Sequence, residues 1–224
     1  MLAFEDVRVR IAGVPVLRGV TFALAPGSSA ALIGRNGAGK TTMVRTVMGF
    51  TNAAGVIRLG DADLGSIAAH RRPALGIGYA PEDRRLFSAF SVEENILLPA
   101  RVARLGPAES KRRLARAYGV MPELAELRGR PAGSLSGGQG KMVALGRALM
   151  LGTKLVILDE PFQGLAPVLA QRYAEALRRL RSEDRDLTLL ITESNPKLLA
   201  GFADTLLVIE RGEVGPAENP DRAG

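Results

Sequence analysis

A glycine-rich segment, residues 34–42 (GRNGAGKTT), constrains the fold of this chain more than any other feature. It fits the pattern G-x-x-x-x-G-K-[ST] and stands between an apolar stretch, SAALIG, and a helical pattern that runs from Thr41 to about Met48. Glycines let successive backbone N–H groups face a phosphate, and the start of a helix adds the positive end of its dipole. The segment, called the phosphate loop below, therefore predicts a strand–loop–helix unit that binds a nucleotide.

The phosphate loop also supplies side chains for this task. We expect Lys40 to reach the β- and γ-phosphates of ATP and the Thr41 hydroxyl to bind Mg²⁺. The loop residues expected to contact the nucleotide are Asn36, Gly37, Ala38, Gly39, Lys40, Thr41 and Thr42.

A second stretch, LVILDE, is an apolar strand pattern that ends in two acids. Asp159 is placed where a carboxylate can hold Mg²⁺ through water, and Glu160 where it can polarise an attacking water. An Asp-Glu pair at a strand end is common, and alone it can be an ordinary solvated turn. Together with the phosphate loop it predicts an ATP-hydrolysing site.

The order of elements predicts an α/β protein with a parallel sheet, because apolar strands alternate with helices. Residues 2–33 are interpreted as short antiparallel strands, two of them joined at Pro26-Gly27. The helical stretch from about 88 to 150 is predicted to be an inserted lobe. We assign 1–215 to a single domain and 216–224 to a flexible tail.

Local signals place three helices. Ser91 followed by Glu94 forms a capping box that begins a helix, and Pro99 is expected to limit that helix. An amphipathic helix is predicted from Gln171 to about Ser182, and another helix is predicted around residues 196–203.

Composition narrows the functional classes. The formal charge is +7, but the basic residues are scattered and only 4% of residues are aromatic, so we expect no nucleic-acid partner. There is no cysteine, which suits a reducing cytoplasm, and no apolar run approaches the roughly 20 residues that span a bilayer. The N-terminal segment MLAFEDVRVR is unlike a signal peptide.

The segment 135–139 (LSGGQ), called the signature turn below, predicts a second anion site. A serine and two glycines stand directly before a helix and offer a hydroxyl, N–H groups and the helix dipole. One nucleotide does not need two γ-phosphate sites in one chain. Two chains arranged head to tail do need them, because each chain then closes the ATP site of the other. The alternative interpretation of residues 135–139 is a flexible Ser-Gly loop.

Along the chain the phosphate loop comes first, the signature turn second and LVILDE third. With the three motifs in this chain order and at this spacing, the chain resembles the ATP-binding-cassette (ABC) ATPases over nearly its whole length. GRNGAGKT resembles Walker A, LSGGQ the signature and LVILDE Walker B. The resemblance implies a P-loop NTPase fold with a RecA-like parallel-sheet core, an N-terminal antiparallel β-subdomain and an inserted helical subdomain. It also implies a D-loop at residues 163–167. In the family, the residues that face the opposing subunit's nucleotide correspond to Ser136, Gly137, Gly138 and Gln139.

Finer features resemble the importers of branched-chain amino acids, amides and urea. These features are PEDRRLF followed by SVEEN, the GLAP segment and ITESN. Glu82 stands where most relatives have the Q-loop glutamine, and the resemblance implies that it contacts nucleotide and metal and senses the nucleotide state. Ser194 replaces the usual switch histidine, and its hydroxyl is expected to act through a water. Loss of one such donor can cost about 2.7–4 kcal/mol of transition-state stabilisation.

The adenine contact departs from the family as well. The position of the usual stacking aromatic is Ile11, and stacking is worth about 1–3 kcal/mol per base. We therefore expect modest ATP affinity and weak base discrimination.

The resemblance further implies the partners and the location. They are a second ABC ATPase subunit, membrane permease subunits, and indirectly an extracytoplasmic solute-binding protein. The resemblance favours a heterodimer of two cassettes, with a homodimer as the alternative. The chain is expected at the cytoplasmic face of the membrane, peripherally, through the permease subunits. Two alternatives stay open at this point, namely a catalytically weak regulatory ATP-binding cassette and a non-transport ABC ATPase that acts on nucleic acid.

Overall fold

The computed structural model describes residues 1–199 and 202–216. The chain divides into two compact units, which are described separately below. The first unit comprises Met1–Arg72 with Thr188–Gly224, and the second comprises Pro73–Leu187.

The bounds of the elements follow the chain order. The strands are β1 (Leu2–Ile11), β2 (Val14–Leu24), β3 (Ser29–Ile33), β4 (Ala54–Leu59), β5 (Ala62–Asp63), β6 (Ile77–Ala80), β7 (Leu155–Asp159), β8 (Thr188–Glu193), β9 (Thr205–Glu210) and β10 (Glu213–Pro216). The α-helices are α1 (Lys40–Val47), α2 (Val92–Val102), α3 (Pro107–Val120), α4 (Glu123–Glu126), α5 (Gly137–Leu149) and α6 (Pro167–Glu183). Short 3₁₀ turns lie at Leu64–Ser66, Ala69–Leu75, Ala132–Ser134 and Pro196–Leu199.

An antiparallel sheet in the order β2-β1-β4-β5 forms one layer of the first unit. In the second half of strand β1, the buried Val7 and Val9 alternate with exposed polar residues, as expected for a sheet with one covered face. Phe4 and Phe22 are directly paired across β1 and β2, and their rings stack with centroids 4.6 Å apart. The predicted N-terminal antiparallel region is confirmed for its first two strands.

The prediction for β3 is wrong in its pairing. Residues 2–33 were expected to be antiparallel strands throughout, but β3 lies between β8 and β9 and is parallel to both. All five residues of Ser29–Ile33 are buried, so both faces of this strand are covered, as in a central parallel strand. Strand β10 then pairs antiparallel with β9.

The second unit contains the parallel pair β6–β7 and the helices α2 to α6. The predicted capping box is confirmed, because the Ser91 hydroxyl accepts from the Glu94 N–H and the Glu94 carboxylate accepts from the Ser91 N–H. The expected limit at Pro99 is wrong, since α2 continues to Val102. A proline removes one helical hydrogen bond, but here it does not end the helix, and at the C-terminus of α2 the Ala103 N–H donates to the Pro99 carbonyl.

Two other helix predictions need correction in their bounds. Helix α6 begins at Pro167, four residues before the predicted start at Gln171. A proline at the first helical position is a common start signal, since its missing N–H would have no helical partner there. The helix predicted around 196–203 is a single 3₁₀ turn, Pro196–Leu199, among the described residues.

The α/β fold class is confirmed. The predicted tail falls mostly on residues 217–224, which lie outside the described residues, whereas Pro216 belongs to β10. The assignment of 1–215 to one domain with a helical insertion at about 88–150 stays a prediction.

Gly78 of β6 provides a test of the packing between this strand and α5. A Cβ atom on Gly78 would overlap the Ala148 carbonyl oxygen and lie 3.0 Å from the Gly152 Cα, all of it rigid backbone. We expect Gly78→Ala to lower the free energy of unfolding by about 3 kcal/mol and the thermal midpoint by roughly 5–10 °C.

The matched control for this substitution is Gly119→Ala in α3. Gly119 is exposed, and a Cβ there meets nothing within 4 Å, so alanine should leave stability unchanged or raise it. Equal thermal midpoints for the two variants would contradict the close approach of β6 and α5.

Candidate functional site

The phosphate loop connects β3 to α1 in the first unit. Two of its glycines rest on Ile209 of β9. A Cβ on Gly34 would lie 2.5 Å from the Ile209 carbonyl oxygen, and one on Gly39 would lie 3.1 Å from the Ile209 Cδ1 atom. Gly39, directly before the helix, also has a φ of 115°, a backbone conformation that residues with a side chain rarely adopt. The close approach to Ile209 and this left-handed turn explain why glycine is needed at both positions.

Lys40, the first residue of α1, turns its side chain back into the phosphate loop. Only 3% of the residue is exposed. Its ammonium donates to the carbonyls of Gly34 at 2.7 Å and Arg35 at 3.3 Å, and to the Ser194 hydroxyl at 3.1 Å. A buried ammonium surrounded by oxygen acceptors can exchange them for phosphate oxygens of the same chemistry.

Ser194 reaches this lysine because of strand register. Strands β3 and β8 run parallel with Ile33 opposite Glu193, and the Gly34 N–H donates to the Glu193 carbonyl at 3.2 Å. Ser194, the next residue, donates its hydroxyl hydrogen to the Asn36 side-chain oxygen at 2.9 Å while it accepts from Lys40. The structure thus brings together three of the predicted site residues.

Ile11, the predicted adenine contact, ends β1 at the tip of the β1–β2 hairpin. It pairs with Val14, and the two residues are 48% and 62% exposed. Further along β2, Leu17 approaches Gly39, since a Cβ on that glycine would lie 3.1 Å from the Leu17 Cδ2 atom. The hairpin therefore presents an exposed aliphatic pair and also touches the phosphate loop.

The acidic pair of the second unit ends β7. Asp159 and Glu160 are both buried, at 2% and 5% exposure. Glu160 has a φ of 45°, a left-handed conformation that is costly for a residue with a side chain and that recurs at active sites. Lys141 of α5 donates its ammonium to the Glu160 carbonyl, which helps to hold this conformation.

The signature turn of the second unit forms a capping box. The Ser136 hydroxyl accepts from the Gln139 N–H at 3.2 Å, and the Gln139 side-chain oxygen accepts from the Ser136 N–H at 3.0 Å. The N–H groups of Gly137 and Gly138 belong to the first helical turn, where no preceding helical carbonyl is available. The Ser136 hydroxyl hydrogen and these two N–H groups are donors suited to an anion.

Gly138 also packs against the segment that resembles a D-loop. A Cβ on this buried glycine would lie 2.5 Å from a Leu169 methyl and 3.1 Å from a Leu165 methyl. The signature turn thus packs closely against the segment that leads into α6 and against its first turn.

Glu82 is exposed and lies just after β6. It begins the segment 82–86, called the Glu82 segment below, in which Arg84 and Arg85 have left-handed φ values of 62° and 47°.

Metal ligands are sparse in the described part of the chain, where no group of three or more His, Cys, Asp or Glu side chains can hold a metal ion. Mg²⁺ bound to a nucleotide needs no such cage, because it keeps waters and takes one or two protein oxygens with the phosphates. Thr41 in α1 and Asp159 in β7 have the donor chemistry that Mg²⁺ prefers.

Two functional contacts were missed from the sequence. The S-x-x-Q spacing of Ser136 and Gln139 is a capping-box signal and could have been recognised. The contact of Lys141 with the Glu160 carbonyl has no local signal, because it joins two elements that are distant in sequence.

Within the residues that the structure describes, no helix is both long and apolar enough to cross a membrane.

Known proteins resemble this chain over most of its length. Residues 17–163 match the family profile described as "ABC transporter". The chain is 34% identical to the high-affinity branched-chain amino acid transport ATP-binding protein BraG of Pseudomonas aeruginosa, over 96% of this chain and 91% of that protein. It is 31% identical to the lipopolysaccharide export system ATP-binding protein LptB of Acidithiobacillus ferridurans, over 97% of this chain and 88% of that protein.

A solved structure supports the fold. The ADP conformation of MJ1267, an ATP-binding cassette of an ABC transporter, superposes with a TM-score of 0.82 at 27% sequence identity. The match covers 97% of this chain and 91% of that one.

Proposed function

Because this chain belongs to the ABC transporter family, we propose that it energises an importer of branched-chain amino acids or of related small amides or urea. The chain is an ATP-binding subunit of an ABC transporter, and the ATPases of this family hydrolyse ATP. The observation that carries the finer proposal is the 34% identity with BraG over 96% of the chain. The segments PEDRRLF and GLAP, which resemble the same branch of importers, add support.

The proposed chemistry assigns a role to each site residue. Lys40 and the phosphate loop hold the triphosphate, as the inward-turned ammonium supports. Glu160 polarises the attacking water. Thr41 and Asp159 supply oxygens to Mg²⁺, which neutralises phosphate charge when bound. Ile11 lies against the adenine, and Glu82 contacts the metal–nucleotide group and senses its state.

The signature turn is proposed to complete the ATP site of an opposing cassette. The Ser136 hydroxyl and the N–H groups of Gly137 and Gly138 at the start of α5 support this role, and Gln139 supports it by holding the capping box. We further propose that the opposing cassette is a different, related ATPase subunit, so that the working assembly is a heterodimer.

The remaining assembly follows from the family. ABC importer subunits of this kind work with membrane permease components. We propose that this chain binds two permease subunits at the cytoplasmic face of the membrane and serves an extracytoplasmic solute-binding protein indirectly.

Uptake measurements test the importer proposal. In cells that lack this gene, the wild-type chain should restore uptake of labelled leucine, a short amide or urea, and the Glu160→Gln variant should not. The importer proposal would be contradicted if both the wild-type chain and Glu160→Gln restored uptake. It would also be contradicted if neither restored uptake of any of the three solutes. Retention of the chain on nucleic acid at moderate salt would instead favour the nucleic-acid alternative.

Ser194 is proposed to support hydrolysis through its hydroxyl. The hydroxyl accepts from Lys40 and restrains Asn36, so Ser194→Ala removes an oxygen acceptor from a buried ammonium. A hydrogen bond to a charged group is worth about 1.5–3 kcal/mol, so we expect ATP turnover to fall roughly 10- to 100-fold. Steady-state phosphate release measures this change.

Two substitutions serve as controls for Ser194→Ala, one at the same position and one at the next residue. Ser194→Thr keeps the hydroxyl and should retain most of the activity. Asn195→Ala removes an exposed side chain whose oxygen accepts from the Lys197 N–H, and it should have little effect. If Ser194→Ala turned over ATP as fast as Asn195→Ala, the proposed role would be wrong.

A further inference from the structure

Two arginines join the Glu82 segment to both ends of α5, all within the second unit. The Arg84 guanidinium donates to the Gly137 carbonyl at 3.2 Å, at the first turn of the helix. At the last turn, the Arg147 guanidinium donates to the Arg85 carbonyl at 2.7 Å and to the Arg84 carbonyl. The Glu82 segment is thus attached to α5 near the signature turn and again ten residues further on.

The contacts of Arg147 stabilise an uncommon backbone conformation. Arg84 and Arg85 are consecutive non-glycine residues in the left-handed region, a conformation that is unfavourable for residues with a side chain. Arg147 binds the carbonyls of these same two residues. Burial lowers the pKa of Arg147 and nearby Asp83 opposes this shift, but a guanidinium stays charged in proteins. Its hydrogen bonds are therefore charge-assisted.

The first turn of α5 has room for the Arg84 side chain because it carries glycines. A Cβ on Gly140 would lie 3.1 Å from the Arg84 Cδ atom, and one on Gly137 would lie 3.3 Å from its Nη1 atom. Arg84 therefore lies along bare helix backbone. The contact is an extended one and does not depend on a single hydrogen bond.

We propose that Arg84 and Arg147 are positioning residues that couple the Glu82 segment to the signature turn. The inference rests on the proposed function, in which Glu82 senses the nucleotide and the signature turn completes the opposing site. The guanidinium groups bind backbone carbonyls, so a shift of the Glu82 segment moves the backbone of the turn and not merely one side chain. Such coupling works only if the nucleotide favours one arrangement of this linked pair.

Arg84→Met tests the link because methionine keeps length and apolar contact but cannot donate. We expect amide hydrogen exchange in residues 134–142 to become roughly tenfold faster, since a hydrogen bond to a charged group is lost. We expect ATP turnover to fall by about the same factor, while the affinity for a fluorescent ATP analogue changes less than about twofold. Arg84→Lys keeps one donor and should restore part of both losses.

Arg85→Met is the matched control. Arg85 is the adjacent residue and has the same left-handed backbone, but its guanidinium pairs with Asp83 at 2.8 Å, and these side chains are 69% and 57% exposed. The backbone carbonyl that Arg147 binds is kept in this variant. Exchange and turnover should therefore match the wild-type protein.

The outcomes separate the link from the proposed function. Equal exchange in Arg84→Met and Arg85→Met would overturn the structural link, and faster exchange with unchanged turnover would overturn its functional role. Equal losses in ATP affinity and turnover would also overturn it, because the effect would then lie in the nucleotide pocket. If the assembled transporter with the wild-type chain turned over no more ATP than the one with Glu160→Gln, the proposed function would fail while exchange still reported on the link.

Discussion

Replacement of Glu160 by glutamine should lower ATP turnover by about 10²–10⁴-fold, the usual contribution of a general base. Glutamine has nearly the same shape but cannot attract a proton from the attacking water. The carbonyl that Lys141 binds is unchanged by the substitution, so the left-handed backbone at this residue should persist. ATP affinity, measured by equilibrium binding, should therefore stay within about twofold, and the loss should appear in kcat.

The control for this variant is Glu183→Gln, which removes a carboxylate from the exposed end of α6. It should leave kcat and the ATP affinity unchanged. Phosphate release at the wild-type rate by Glu160→Gln would show that another group activates the water. The regulatory-cassette alternative predicts a different result, namely equally slow phosphate release by the wild-type chain and by Glu160→Gln.

Replacement of Lys40 by methionine should weaken ATP binding by roughly 10- to 100-fold, because a charge-assisted contact to phosphate is lost. Turnover should fall by about 10²–10³-fold, the usual cost of one removed donor that stabilises transition-state charge. Methionine fills the same buried, unbranched volume, so packing is largely kept. The Gly34 carbonyl, which accepts from Lys40 at 2.7 Å, would need another donor.

Arg45→Met separates this specific effect from a general loss of positive charge. Arg45 lies on the exposed side of α1, and its substitution removes the same unit charge. Equilibrium binding of ATP should be near the wild-type value for this control. Equal affinities of Lys40→Met and Arg45→Met would exclude the inward ammonium as a phosphate ligand.

Features encoded within a few residues were predicted well from the sequence. The capping box at Ser91 and Glu94 is complete in four residues, and the structure contains both of its hydrogen bonds. The phosphate loop follows a strand and precedes a helix as expected. Local signals sufficed because the atoms that satisfy one another are neighbours in the chain.

Features that depend on distant residues were predicted less well. The partners of β3 are β8 and β9, more than 150 residues away, so no turn signal near Pro26-Gly27 revealed a parallel pairing. The family resemblance alone points to Ser194 as a site residue, but its contacts with Lys40 and Asn36 follow from the register of β3 and β8. Helix α2 continues past Pro99 for a related reason, since the packing of its buried residues on both sides of the proline outweighs one missing hydrogen bond.

Ile209 supports two glycines of the phosphate loop from beneath, although it has no polar side-chain atom and lies outside every motif. The distance between the loop backbone and β9 is therefore set partly by the size of the Ile209 side chain. A smaller residue at this position would leave a void into which the loop could settle, and the geometry of its N–H groups would change. Nucleotide affinity in this protein can consequently change through substitutions of apolar residues that leave every motif residue unchanged.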